Sequence, residues 1–327
     1  MEKRNVSIQL LRVSACFLVF FVHFGQRVGL SGILKTFTDF GAFGVQLFLL
    51  ISGFLAGKTF LENPDINILT YYKKRVIAIL PLYYLVILYY FITENILNHY
   101  FSVIPSDELG FGWFRYIFLL NGFLNSDTYF WSNLGITWTI PIFMFFYLIA
   151  PWILRKVKTI FSCVMIWAIV FVVTQVLERF YSCVIFTQLH IMFLGVIVYA
   201  CVKKGRNLPA IGAFLVAAIC AMILGNTTYV YVLIFSSILI AMASYNSISL
   251  PNWLSKIIDV LDKYSYTLYL MHGVVFCSVL DRLNALGVSK IIIAAIAIIG
   301  TFVATVIVGK FIEKPIQKFL KKRFLNS

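Results

Sequence analysis

The chain has 327 residues, of which 61% are hydrophobic and 12% charged, with a mean hydropathy of +0.92; soluble domains run near 45–50% apolar and about 25% charged. A water-soluble fold is excluded, and no polar stretch is long enough for a second domain, so residues 1–327 read as one membrane domain. The net charge of +14 would point to nucleic acid in a soluble protein; here it is tested first against membrane topology.

A hydrocarbon core of about 30 Å takes roughly 20 apolar residues per helix. The chain opens Met1-Glu2-Lys3-Arg4 before a long apolar run with no small-residue cleavage site, which reads as a retained first span over 7–29. That span carries Arg12 and His23, eleven residues and close to three turns apart, so both project from one face, roughly 16 Å apart along the axis, and are expected to look into the same cavity. An ionisable group inside a membrane helix is a functional candidate by default. Arg12 is permanently charged and matches phosphate oxygens bidentately; the alternative is snorkelling to lipid head groups. His23 can accept a proton near neutral pH; the alternative is a helix-packing residue.

The second span is expected at 41–60, with Ser52-Gly53 permitting close helix approach. Lys73-Lys74-Arg75 precedes a third span at 76–94. The connection 95–136 is rich in aromatics, including a candidate interfacial helix over Trp113–Leu120. These rings suit either a membrane-interface belt or stacking on a sugar. Further spans are read at 137–154, 160–177, 184–202, 208–225, 228–245, 264–283 and 291–312, ten in all. His190 falls in the sixth and His272 in the ninth, either to orient His23 or a ligand or to make structural hydrogen bonds. The six cysteines stand singly, without metal-ligand spacing, and no metal site is read.

Ten spans put both termini on one side. Twenty of the 27 basic residues then share that side, against Arg27, Lys35, Arg115, Arg179, Arg282 and Lys290 on the other and Arg12 within a span. By the positive-inside rule both termini are expected to be cytoplasmic. The basic residues form short clusters at helix ends rather than one stripe, so no nucleic-acid partner is expected; membrane lipids are.

Several segments in order resemble the acyltransferase-3 family of bacterial membrane enzymes. They are Arg12 leading through ten residues to His23, Gly44–Leu55 ending in Ser52-Gly53-Phe54, Pro81-Leu82-Tyr83 behind the basic cluster, and Trp138-Thr139-Ile140 with Phe146-Tyr147-Leu148 before Pro151. Tyr264–His272 and Glu313-Lys314-Pro315 complete the set. The resemblance covers nearly the whole chain. It implies an all-α multi-pass protein of the bacterial plasma (inner) membrane that moves an acetyl or other short acyl group from acetyl-coenzyme A, or a related thioester, to a sugar hydroxyl of a surface polysaccharide or lipid-linked glycan. In that frame His23 and Arg12 are catalytic, and Arg12, Lys73, Lys74 and Arg75 hold the donor phosphates. Trp138, Asn133, His190 and His272 are substrate contacts.

The sequence departs from the family pattern in three places. Phe143 and Met144 stand where the family often has a pair of Glu, Ala78 replaces the second Arg of its R-x-x-R, and Gln9 replaces an acid common beside the first-helix Arg. A transporter or flippase of a polar lipid or glycan is the competing reading; the hydropathy gives no sign of the two similar halves or interrupted helices such proteins often carry.

Overall fold

The computed structural model describes residues 5–93, 113–123, 134–244 and 250–325, and among them the secondary structure is entirely helical. Helix α1 spans Val6–Val28, capped by the Asn5 side chain, which accepts from Ser7 N at 2.9 Å, and closed by Gly29 in the left-handed conformation. The short α2, Gly32–Asp39, leads into α3, Gly44–Glu62. Helix α4 runs over Ile68–Phe91, so the third span starts well before its expected boundary. Asn67 caps it by accepting from Thr70 N at 2.9 Å, which places Lys73, Lys74 and Arg75 inside the second turn. The run ahead of Val76 is helical because Lys and Arg are good helix formers and their stems lie along the helix surface.

Helix α5, Trp113–Ile117, sits within the stretch read as interfacial. Its carbonyls accept from two α4 hydroxyls, Tyr83 to Tyr116 O at 2.8 Å and Tyr84 to Ile117 O at 2.9 Å. There follow α6 (Thr139–Leu154), α7 (Ile160–Phe180), α8 (Val184–Lys203), α9 (Asn207–Ile223) and α10 (Thr227–Ser244). Helix α11, Asn252–Lys263, is a separate amphipathic helix absent from the sequence reading. It turns into α12, Ser265–Val275, which continues through a π bulge at Phe276–Leu280 into α13, Asp281–Ala285. Helix α14, Lys290–Val308, passes through a second π bulge at Gly309–Glu313 into the basic α15, Lys314–Phe324.

Eight of the described helical stretches are long and apolar enough to cross a membrane. The seventh and ninth expected spans are the 17-residue apolar α9 and the run α12–α13.

The centre of the bundle is α8 against α3. Every α8 position from Leu189 to Cys201 is buried, as expected of a helix that is apolar nearly all round. The two approach through glycines: a Cβ on Gly53 would lie 1.8 Å from Met192 O, and one on Gly195 would lie 2.1 Å from Leu50 O. Only glycine fits at either place, which is the close approach read from Ser52-Gly53. Helices α7 and α9 bury few side chains and turn Ile169, Val172, Val173, Val216 and Ile219 outward, as lipid-facing helices do.

Candidate active site

Helix α1 is held along its length by the run α11–α13. Toward its N-terminal end Arg12 Nη2 meets Asp262 at 2.8 Å (Oδ1) and 2.9 Å (Oδ2), and the Asp262 side chain is 1% exposed. Gln9, one turn earlier, donates from Nε2 to Asp259 at 2.8 Å and to Asp262 at 3.3 Å. The acid missing from the Gln9 position is therefore supplied in space by α11. Further along, Cys16 Sγ donates to Ser265 O at 3.4 Å, and Ser265 Oγ donates to Asp262 O at 2.9 Å, locking the α11–α12 turn against α1.

Arg12 lines a cavity of about 210 Å³ together with Ser52, Arg75, Thr139, Phe143, Tyr147, Tyr266 and Tyr269. The segments that carried the family resemblance up to His272 contribute to this wall, except Pro81-Leu82-Tyr83, where the preceding Arg75, Ala78 and Ile79 do. The Arg75 guanidinium stacks over the rings of Tyr147 at 4.5 Å and Tyr71 at 5.2 Å, and among the described residues no carboxylate lies within ion-pair distance of it. Phe143 presents an apolar wall where the family often has Glu. Arg12 also borders a second cleft, of about 370 Å³, with Gln9, Lys58, Glu62, Tyr199 and Lys203, so the two spaces meet at its side chain.

The cavity wall is braced from behind. Tyr266 donates to Ile79 O at 2.9 Å and Gln317 Nε2 to Ala78 O at 3.2 Å. The buried Glu313 accepts from Thr267 Oγ1 and, at 2.8 Å, from Gln317 Nε2. The terminal Glu313-Lys314-Pro315 segment thus ties α12 and α4 together rather than entering the cavity.

His23 departs from expectation. It faces the same run α11–α13 as Arg12 but does not line the Arg12 cavity. Its ring stacks on that of His272, with centroids 5.4 Å apart and planes 20° apart, and its Nδ1 lies 3.1 Å from Gln26 Oε1. His272 is 1% exposed and packs edge-on against Tyr269 at 5.6 Å. The Tyr269 hydroxyl reaches Thr139 Oγ1 at 2.9 Å and Ile136 O at 2.7 Å, and both Tyr269 and Thr139 line the cavity. Two residues on one face of a helix about 16 Å apart do not share the cavity because the rings of Tyr269, which lines it, and His272, which covers His23, stand between them.

The other candidates divide. Arg75 joins Arg12 at the cavity, whereas Lys73 and Lys74 are not part of its lining, and Lys74 is exposed. One turn of helix carries only one of three consecutive residues toward a given face. Trp138 ends the 3₁₀ turn Gly135–Trp138 and is followed directly by Thr139 of the cavity wall. His190 is elsewhere: its ring stacks on Tyr229 at 5.4 Å, its Nε2 contacts the Tyr229 hydroxyl, and Phe171 packs edge-on at 5.3 Å. It belongs to the packing of α7, α8 and α10. Asn133 lies outside the described residues. No three His, Cys, Asp or Glu side chains gather as metal ligands among the described residues.

Asp262, Tyr269, Thr139 and Asp281 were not singled out from the sequence. Tyr269 and Thr139 lay inside segments already flagged, so their neighbours carried a signal. The two aspartates carried none.

Neither a curated protein nor a solved structure matches the chain significantly. A family profile does: residues 5–310 match the acyltransferase-3 model, described as an acyltransferase domain. That match takes in α1 with Arg12 and His23, the cavity, and α14 into its π bulge, and on it the chain is a multi-pass membrane protein belonging to the acyltransferase-3 family.

Proposed function

We propose that this acyltransferase takes an acetyl or other short acyl group from a coenzyme A thioester on the cytoplasmic side of the bacterial inner membrane and passes it to a sugar hydroxyl of a surface polysaccharide or lipid-linked glycan. The observation that carries the reading is Arg75. A guanidinium without a carboxylate, stacked on two tyrosines at the edge of a cavity it shares with Arg12, is a ready contact for donor phosphate oxygens, and guanidinium–phosphate pairs are among the stronger charge-assisted bonds. The cavity of about 210 Å³ is smaller than the roughly 300–1,000 Å³ of sites that enclose a whole ligand of drug size. It suits the thioester arm, and the cleft of about 370 Å³ that shares Arg12 takes the remainder. Lys73 and Lys74 sit one turn or less from Arg75 and serve as outer electrostatic contacts.

For transfer the thioester arm has to pass the Tyr269 and His272 rings that stand between the cavity and His23; the acceptor oxygen then attacks the thioester carbonyl carbon, a C–O bond forms and the C–S bond breaks. His23 takes the hydroxyl proton and returns it to the departing thiolate. Such base catalysis is typically worth about 10²–10⁴-fold. His272, stacked on His23, fixes the ring plane, and Trp138 and Asn133 are candidate acceptor contacts.

The test is the O-acetyl content of surface glycan in cells lacking the chromosomal copy and carrying either wild type or His23→Ala at matched membrane abundance. Wild type should restore O-acetyl and the variant should fall about a hundredfold or more. Full restoration by the variant removes His23 from the chemistry. A lack of response of the purified protein's thermal stability to acetyl-coenzyme A would favour the flippase reading instead.

A further inference from the structure

Four residues beyond His23 on α1, and so on the same face about 6 Å further out, Arg27 Nε meets Asp281 Oδ1 at 2.7 Å. Arg27 Nη2 lies 3.7 Å from Cys277 Sγ, and Asn284 donates to Arg27 O at 3.1 Å. These partners come from the continuation of the helix that carries His272, and their alignment is not what an unbroken α-helix gives. Residues nine apart, as His272 and Asp281 are, stand about 180° apart on a regular helix. The π bulge at Phe276–Leu280 absorbs one extra residue and brings the separation down to about 80°. With it, His272 stacks on His23 while Asp281 pairs with Arg27; without it, only one of the two contacts can be made.

The pair is not saturated. Asp281 Oδ2 and His272 Nε2 are shielded from solvent and have no hydrogen-bond partner, His272 being 1% exposed. Buried polar atoms are nearly always satisfied, and each exception asks for a missing partner. Arg27 and Asp281 keep 28% and 13% of their side chains exposed, so the pair borders solvent, and a ligand would reach the covered Oδ2 by a small turn of the Asp281 carboxylate. A carboxylate oxygen with open lone pairs and guanidinium N–H groups, set one helical turn from an imidazole, match a ligand bearing several adjacent hydroxyls, which both donates and accepts.

We propose that Arg27 and Asp281 form the acceptor site, holding a hydroxylated sugar ring so that a neighbouring hydroxyl lies at His23. The proposal rests on the acyl-transfer reading above. The distance of one turn between His23 and Arg27 is about the width of one sugar ring, and Asp281, accepting from one hydroxyl while Arg27 donates to the next, fixes which hydroxyl is presented.

The experiment uses full-length chain in cells without the chromosomal copy: wild type, Asp281→Asn, Arg27→Gln, and the exchanged pair R27D/D281R. O-acetyl is read separately on lipid-extractable and polymeric glycan, which tells whether the ring belongs to a lipid-linked precursor or to finished polymer. Purified samples are melted with and without acetyl-coenzyme A. Asp281→Asn and Arg27→Gln should lose at least about tenfold of the O-acetyl, with donor-induced stabilisation intact, and the exchanged pair should stay inactive because the ring would meet the reversed groups. The assignment is overturned if Asp281→Asn keeps O-acetyl within twofold of wild type. It is overturned equally if donor stabilisation disappears with the acetylation, or if the exchanged pair restores activity, since either makes the pair a structural tie. Wild type silent in both assays brings down the acyl-transfer reading itself, whereas an active wild type beside an active Asp281→Asn brings down only this site.

Discussion

Helix α1 carries an arginine–aspartate pair near each end, Arg12 with Asp262 at 2.8 Å and Arg27 with Asp281 at 2.7 Å, and both aspartates come from the run 252–285. The pair nearer the N-terminus, inner by chain position alone, is the more fully engaged. Asp262 is 1% exposed, is met through both oxygens and takes a further bond from Gln9. In the outer pair Asp281 is met through one oxygen, and its Oδ2 has neither an ion-pair contact nor a hydrogen bond, whereas Asp262 Oδ1, which makes no hydrogen bond, still lies 2.8 Å from the Arg12 guanidinium. The same two residue types therefore do different work: Arg12 gives most of its charge to the protein, so that the net positive charge of the inner cavity resides on Arg75, while the outer pair keeps hydrogen-bonding capacity in reserve.

That division can be broken most sharply at Arg75. Arg75→Gln should weaken acetyl-coenzyme A by about 10–100-fold, the loss of one or two charge-assisted hydrogen bonds, read as a shift of the concentration that half-saturates thermal stabilisation; an unchanged value would return the donor to Arg12. At the inner pair, Asp262→Ala strips Arg12 of its buried partner and should cost about 1–3 kcal/mol of stability, less than a fully buried pair because the Arg12 side chain is 32% exposed. It should also tighten donor binding by freeing the guanidinium. A melting curve with and without donor reads both, and a stable variant with unchanged donor affinity would remove the distinction between the two ends. The smallest effect is expected for K73A/K74A, which should change donor affinity by no more than about 0.5 kcal/mol, since neither side chain lines the cavity.

Much of this architecture was legible. Composition alone gave a membrane protein, the apolar runs fell on helices, and the Arg12–His23 spacing placed two side chains on the face that meets α11–α13. The aspartates were not legible, because Asp262 and Asp281 lie about 250 residues from the arginines they meet and nothing local marks them as partners. Helix α11 was missed for a related reason: its apolar residues are too few for a span, and its role is to carry Asp259 and Asp262 to α1. The shared cavity of Arg12 and His23 failed because helical periodicity gives direction but not what stands in the way, here Tyr269 and His272. His190 looked equivalent to His272 in sequence, both being lone histidines in apolar helices, and only packing against Tyr229 and Phe171 separates them.

The π bulge at Phe276–Leu280 makes the chain beyond it sensitive to helical register rather than to volume. Closing the bulge into regular helix with its extra residue kept would change almost no volume, yet it would turn everything beyond by about 100° and carry Asp281 off Arg27 while His272 stayed against His23; deleting one residue as the bulge closes would instead leave the two about 80° apart, as they are now. Conservative replacements within the bulge should pass unnoticed by comparison. For anyone redesigning this segment or grafting it from a related chain, the quantity to preserve is the angle between His272 and Asp281, which nine residues with the bulge or eight without it both give.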